Sequence, residues 1–281
     1  MNKSPATASD LESQPRHAAA PGRRNITALD HICYEQPLNE RVRTLLRLEF
    51  LFKQAHAHIY RPSVWDSRAA LNSLFDITEI FARADLKNEI LKELERQAGL
   101  LEKLAANPHV DKKRLEEILS EMDLLIDRLY ALRNQDMDIR TNDFLSSIKQ
   151  RTNIAGGGCD FDLPAYHYWL SQPEERRVGD LQQWLEPFDA INQSVRLILR
   201  LIRDSGQTTT EIADDGFFQK SLDSSITCQM VRVTLAGDQP YFAEISGGKH
   251  RFTIRFMEPS LNDRPVQTAA SVSFKLTCCL L

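Results

Sequence analysis

Several chemical frameworks are missing from this 281-residue sequence. Its five cysteines, Cys33, Cys159, Cys228, Cys278 and Cys279, are scattered and form no Cys-x-x-Cys pair. That argues against a disulfide scaffold or a zinc ribbon and points to a reducing cytoplasm. No apolar run reaches the ~20 residues that a membrane-spanning helix needs, so no membrane insertion is expected. Residues 1–22 lack the apolar centre of a secretory leader. A positive excess is missing too. Lys plus Arg is 35 and Asp plus Glu is 39, a formal charge of −4, which speaks against a globally basic nucleic-acid binder. No internal repeat is visible. What is present is an ordinary globular composition, with 42% hydrophobic residues to build one large core or two small ones.

Residues 1–25 hold a single large aliphatic residue, Leu11, and read as a disordered tail. Residues 26–36 are β-branched and aromatic. They predict a strand, closed by Pro37, that must find a sheet elsewhere and is expected to join the C-terminal one. From Leu38 the period becomes helical, and residues 37–205 read as a helical domain. Its first helix carries Leu38, Val42, Leu45, Leu46, Phe50 and Phe52. A second is capped at Asp66 or Ser67. A third ends at Asn107-Pro108, and a fourth is capped by Asp111 to close a helical hairpin. A shorter helix starts at Asn142. In the last helix Ile191, Val195, Ile198, Leu199 and Ile202 form a stripe, and Gly206 reads as its C-terminal stop. Residues 206–281 alternate with period two through Val231–Leu235, Tyr241–Ile245, Phe252–Phe256 and Val272–Cys278. They predict an antiparallel meander with one buried face. The fold class is therefore α+β: an N-terminal helical lobe, a C-terminal antiparallel β lobe, and an early strand joining the two.

Motifs that would carry chemistry are absent or incomplete. Gly156-Gly157-Gly158 is followed by Cys159-Asp160, where a phosphate loop needs Lys-Ser/Thr, so residues 153–164 read as a tight linking turn. Gly247-Gly248-Lys249 fails in the same way. His56 and His58 are two apart on a helix and face different directions, unlike a metal pair. His167 stands among Tyr166, Tyr168 and Trp169, a setting that suits a packed or surface residue better than a catalytic base. No Gly-x-Ser-x-Gly is present, and no cysteine is placed beside a histidine as a nucleophile. Cys278-Cys279-Leu280-Leu281 formally fits a prenylation box, yet Cys278 continues the buried parity of its strand. No enzyme activity, metal, cofactor or small-molecule substrate is expected. Cationic patterning remains. Arg43 and Arg47 share a helix face, Lys249, Arg251 and Arg255 share a strand face, and Lys149, Arg151 and His167 flank the glycine-rich segment. Such a surface suits an acidic partner, a protein or, as the alternative, a nucleic acid contacted by a regulator.

Several stretches resemble the ZapD family of cell-division proteins. They are Tyr34-Glu35-Gln36-Pro37-Leu38-Asn39-Glu40 with Arg43, Arg47 and Glu49-Phe50-Leu51; Leu91-Lys92-Glu93-Leu94; Gly156-Gly157-Gly158-Cys159-Asp160-Phe161-Asp162-Leu163-Pro164 with His167; and Arg251-Phe252-Thr253-Ile254-Arg255-Phe256-Met257. The likeness runs from about residue 28 to the C-terminus. It implies a non-catalytic homodimer of the cytoplasm that takes the C-terminal tail of FtsZ on a basic surface and cross-links FtsZ filaments at midcell, stabilising the Z ring during septation. Carried onto this sequence, that surface is Arg43, Arg47, Arg140, Arg151, His167, Lys249, Arg251 and Arg255. Asp143 stands where a basic residue is expected, with Arg140 as its nearby substitute. Arg255 has a second role open to it, bracing its sheet.

Overall fold

The most strongly amphipathic segment of the chain lies at the centre of the helical layer. Helix α8 (Asp189–Asp204) buries Ile191, Val195, Ile198, Leu199 and Ile202 completely, the stripe its spacing predicts. In a computed structural model of the chain, residues 30–83, 85–133, 137–152, 154–223 and 227–281 are described. The predicted tail, and residues 26–29 of the predicted early strand, lie outside them.

Around α8 stand α1 (Glu40–Ile59), α3 (Leu86–Leu104) and α4 (Lys112–Ala131). Helix α2 (Val64–Arg83) lies against α1, the two joined by residues 60–63. The helix begins two residues before the predicted cap, because Ser63 Oγ accepts from the Trp65 amide and the Ser63 carbonyl takes the next two N–H groups. Asp111 caps α4 as its sequence predicts, accepting from the Arg114 amide at 3.1 Å. Helices α5 (Asp143–Thr152), α6 (Pro164–Leu170) and α7 (Glu174–Leu185) close the layer. Phe144, Tyr166, Trp169 and Trp184 gather there with ring centroids 5.5–6.4 Å apart.

The β lobe holds two antiparallel sheets where the alternation alone predicts one meander. The first has the order β1 (His31–Pro37), β4 (Met230–Ala236), β8 (Val272–Cys279), β2 (Thr208–Ala213). The early strand thus joins the C-terminal sheet, with His31 opposite Ala236 and Pro37 opposite Met230. The second has the order β3 (Phe217–Ser221), β6 (Arg251–Glu258), β5 (Phe242–Gly247), with the short β7 (Val266–Gln267) on the far end of β6. Val231, Val233, Leu235, Phe274 and Leu276 of the first sheet meet Phe252, Ile254 and Phe256 of the second. Phe256 and Phe274 are 5.0 Å apart between ring centres.

The opposite face of the first sheet lies on the helices. Met230 and Cys279 belong to the helical core, so the last residues of β8 are covered on both sides and strict alternation ends at Leu276. Gly206 does not stop α8 through a left-handed conformation. It stands there because an added Cβ would lie 2.4 Å from the Cys278 carbonyl.

One ion network crosses this seam. Arg203, near the end of α8, donates from Nε and Nη2 to both oxygens of Glu35 on β1 and from Nη1 and Nη2 to both oxygens of Glu49 on α1, each at 2.8 Å. Lys53 Nζ stands 3.1 Å from Glu49. Arg232 Nε stands 3.0 Å from Glu35, an attraction without a well-aligned hydrogen bond. The bonds to Glu49, and then those to Glu35, hold the Arg203 guanidinium proton above its ordinary value against the opposing effect of burial. For Glu49, burial raises the pKa, but the bonds and charges of Arg203 and Lys53 outweigh it and set the carboxyl below its ordinary 4.5.

Arg203→Met removes the cation and leaves the buried carboxylate of Glu49 facing the half-buried one of Glu35. It is expected to lower stability by about 3 kcal/mol in urea titrations, and Arg203→Lys is expected to recover only part of it. Because the folded-state pKa of Glu49 is depressed, its contribution is present above pH 4.5 and is lost as pH falls through the lower folded value. Acid titration of the wild type below pH 4.5 should show that loss, and Glu49→Gln should flatten it.

Candidate peptide-binding face

The segment Pro37-Leu38-Asn39-Glu40 turns the chain from sheet to helix. Pro37 ends β1, and Asn39 Oδ1 caps α1 by accepting from the Val42 amide at 2.9 Å. Asn39 Nδ2 donates to Gln229 Oε1 at 2.7 Å, and the Leu38 amide donates to the Gln229 carbonyl at 2.9 Å. Gln229 in turn donates its amide to Cys279 O. The start of α1 is thus fixed to the first sheet from two directions.

Leu38 also seats the β5–β6 hairpin. A Cβ added to Gly247 would lie 2.6 Å from Phe252 Cβ and 3.0 Å from Leu38 Cδ2, so glycine is required by close approach. The hairpin tip carrying Lys249 and Arg251 therefore stands at the N-terminal end of α1, the end that carries Arg43. Lys249 lies in the turn itself, whereas the sequence places it on the strand face; Arg251 is the exposed first residue of β6. A hollow of about 460 Å³ at the tip is lined by Gln219, Gly248, Lys249, His250 and Arg251.

Along α1, Arg43, Leu46, Arg47 and Phe50 follow at i, i+3, i+4 and i+7 and share one face. They line a groove of about 590 Å³ between α1, α2 and the end of β1, with Pro37, Leu51 and Ile80 as further apolar walls and Asp76 and Glu79 on α2. Phe50 recurs at helical spacing with the apolar residues of α1, but it is 65% exposed in this groove. Helical periodicity could not reveal that, because the groove wall comes from a different helix. Arg43 donates to Glu40 at 2.8 Å, an exposed pair of small energetic weight. Arg47 makes no ion pair among the described residues.

The other candidates lie elsewhere. Arg255 is exposed two pairs along β6 from Arg251 and opposite Glu244, on the same outward face. Arg140, Arg151 and His167 stand with the α5–α6 region, and each meets a carboxylate close in sequence. Arg140, 84% exposed, grips Asp138 through Nε and Nη2 at 2.7–3.0 Å, which raises its own pKa and lowers that of Asp138. Arg151 is 3.9 Å from Asp162, and His167 Nδ1 is 3.0 Å from Asp160. The glycine-rich segment is a series of tight turns, with Gly156 at φ +74°. Its Gly158 carbonyl accepts from Arg68, whose guanidinium lies 4.8 Å from the Tyr166 ring centre. Arg43 and Arg47 thus line one groove on α1, Lys249 and Arg251 line a separate hollow at the β5–β6 tip, Arg255 lies further along β6, and Arg140, Arg151 and His167 stand with the α5–α6 region. Arg41 is taken up by the buried Glu93 at 2.7 Å. Among the described residues, no three His, Cys, Asp or Glu side chains gather as a metal would require, and no helix is long and apolar enough to cross a membrane.

A family profile described as "ZapD: Cell division protein" matches residues 46–255. The chain belongs to the ZapD family of cell division proteins. A "Cell division protein ZapD" of Methylococcus capsulatus is 45% identical over 253 residues, covering 90% of this chain and 99% of that protein. A protein of the same name from Coxiella burnetii is 37% identical over 251 residues, covering 88% and 97%. One from Nitrosomonas europaea is 36% identical over 258 residues, covering 92% and 98%. These ZapD relatives are named for cell division and not for a reaction.

Gly247→Ala tests the seating of the hairpin. The added methyl must displace Phe252 or Leu38, with an expected loss of about 1–3 kcal/mol in thermal or urea unfolding. Gly248→Ala meets nothing within 4 Å and should leave stability nearly unchanged.

Proposed function

We propose that this ZapD-family chain binds the C-terminal tail of FtsZ on the face formed by Arg43, Arg47, Lys249 and Arg251, extended by Arg255. The observation that supports the reading is the apolar groove lined by Arg43 and Arg47, with Lys249 and Arg251 at a separate hollow on the hairpin that Leu38 seats near the start of α1. Arginine suits tail carboxylates because its planar fork can engage both oxygens. Arg140, Arg151 and His167 belong to a second patch, whose cations must first leave Asp138, Asp162 and Asp160.

A homodimer carries two such faces. Binding the first tail raises the effective concentration of the second, so contacts that are weak singly cross-link filaments that display many tails. The same reading places the protein in the cytoplasm at midcell, where bundled filaments stabilise the Z ring.

Co-sedimentation with GTP-assembled FtsZ tests this reading. The wild type is expected to pellet with full-length polymer, to be released by rising salt, and to stay in solution with polymer lacking its tail. Arg47→Glu and Arg251→Glu are each expected to weaken pelleting roughly tenfold, about 1.4 kcal/mol, at unchanged thermal stability. Equal pelleting with both polymers contradicts the tail contact, and pelleting with neither contradicts FtsZ as partner.

A further inference from the structure

Three of the five cysteines gather where β8 ends beside the segment that enters β4. Cys278 and Cys279 close β8, and neighbouring strand residues point to opposite faces. Cys279 belongs to the helical core, with its Sγ 3.9 Å from the Arg203 carbonyl. Cys278 packs instead on the β core, which also holds the buried Cys228. Register brings the two together. Cys278 stands opposite Val231, and the Gln229 amide donates to the Cys279 carbonyl at 2.8 Å, so the chain entering β4 runs beside the end of β8. The Cys228 thiol faces the Met230 carbonyl at 3.5 Å and makes a side-chain hydrogen bond with Cys278. That contact makes the two sulfurs unlike. The bond from Cys228 lowers the Cys278 thiol to about 7 against burial and Glu211, with Lys220 helping, while the same bond, and then burial, raise Cys228. Burial pushes Cys279 up to about 11. Cys278 is half-buried and so within reach of a small oxidant. Cys33 on β1 and Cys159 in the glycine-rich turn are exposed.

We propose that Cys278 and Cys228 form a reversible oxidation site, a nucleophilic thiol with its resolving partner, and that its oxidant is hydrogen peroxide. The Cys278 thiolate attacks one peroxide oxygen. The O–O bond breaks, an S–O bond forms, and the departing hydroxide takes a proton from solvent. The Cys228 sulfur then attacks the Cys278 sulfur. The S–O bond breaks, the S–S bond forms, and the released hydroxide leaves as water with the Cys228 proton. The two thiols lose two electrons together, and the peroxide becomes two waters. A thiol reductant reverses the bridge through a mixed disulfide. Cys279 is kept out of the reaction because it points through the sheet to the helices. The site adjoins Gln229, whose side chain and carbonyl hold Asn39 and the Leu38 amide at the start of α1. Oxidation therefore ties that anchor covalently to β8.

Thiol mapping of the full chain tests it. The fully reduced protein is treated with hydrogen peroxide, alkylated with iodoacetamide and digested, and tandem mass spectra assign each sulfur. The same is done with a Cys33→Ser, Cys159→Ser variant, whose two changes are exposed and should leave the fold intact. Both proteins are expected to lose the mass of two hydrogen atoms and to yield a Cys228–Cys278 bridge that dithiothreitol removes. Cys228→Ala is expected to leave Cys278 as a sulfenic acid that dimedone captures, and Cys278→Ala to leave Cys228 unreacted. In the untreated protein at pH 7, Cys278 is expected to alkylate at least about tenfold faster than Cys279. The proposal is overturned if Cys228 and Cys278 both remain open to alkylation in the unfolded digest after peroxide has consumed Cys33 and Cys159. It is equally overturned by a bridge from Cys278 to Cys279 or to a second copy of the chain, or by equal alkylation of Cys278 and Cys279. The mapping keeps both core cysteines, so it decides the matter even where an alanine variant fails to fold.

Discussion

Arg203 holds together three elements that are distant in sequence. Its guanidinium grips Glu35 of β1 and Glu49 of α1 at once, from near the end of α8. Without it, two carboxylates would face each other at the seam between sheet and helices, with only Lys53 and Arg232 to offset them. A network of this kind contributes little over a well-packed apolar seam, yet removing one member is costly because the remaining charges lose their partner. Its value here is geometric. Two bidentate pairs fix both the distance and the rotation of β1 against α1, and the groove of Arg43, Arg47 and Phe50 opens between those same two elements and α2.

The first β-sheet carries this precision to the rest of the molecule. One of its faces closes the β core through Val231, Val233 and Phe274, and the other closes the helical core through Met230 and Cys279. The chain crosses from helix to sheet at Gly206, where only a missing side chain lets β8 approach. Leu38 then ties the hairpin tip to the cap of α1. The cations of the strand lobe therefore take their position from the same seam as those of the helical lobe. The two lobes keep their relative position because the first sheet packs into both cores.

Much of this was legible in the sequence, and the misses have physical causes. The stripe of α8, the Asp111 cap, and the alternation of β4 and β6 follow from local periodicity, as does the need of the early strand for a sheet. Strands β2 and β3 carry little signal in the sequence, because Thr208–Glu211 and Phe217–Ser221 are exposed or only half-buried and give no clear apolar alternation. Splitting into two sheets depends on pairings between distant strands, which period-two patterning does not encode. Glu35, Glu49 and Arg203 look like solvated charges, since 154 and 168 positions separate the arginine from its partners. The candidate site divides likewise. Arg43 and Arg47 could be paired from helical spacing alone. The groove between α1 and α2, and the pairing of Arg140 with Asp138, depend on side-chain placement that spacing does not reveal.

The central claim is that cations from both lobes form one face, seated at the start of α1, which takes the FtsZ tail. Hydrogen–deuterium exchange of the full chain, with and without a synthetic FtsZ tail peptide, tests this most directly. Added protection is expected in the first half of α1, in the α2 segment around Asp76, and at the β5–β6 tip, with α5, α6 and the glycine-rich segment unchanged. Protection confined to the α5–α6 region, or an exchange pattern the peptide does not alter, would contradict it.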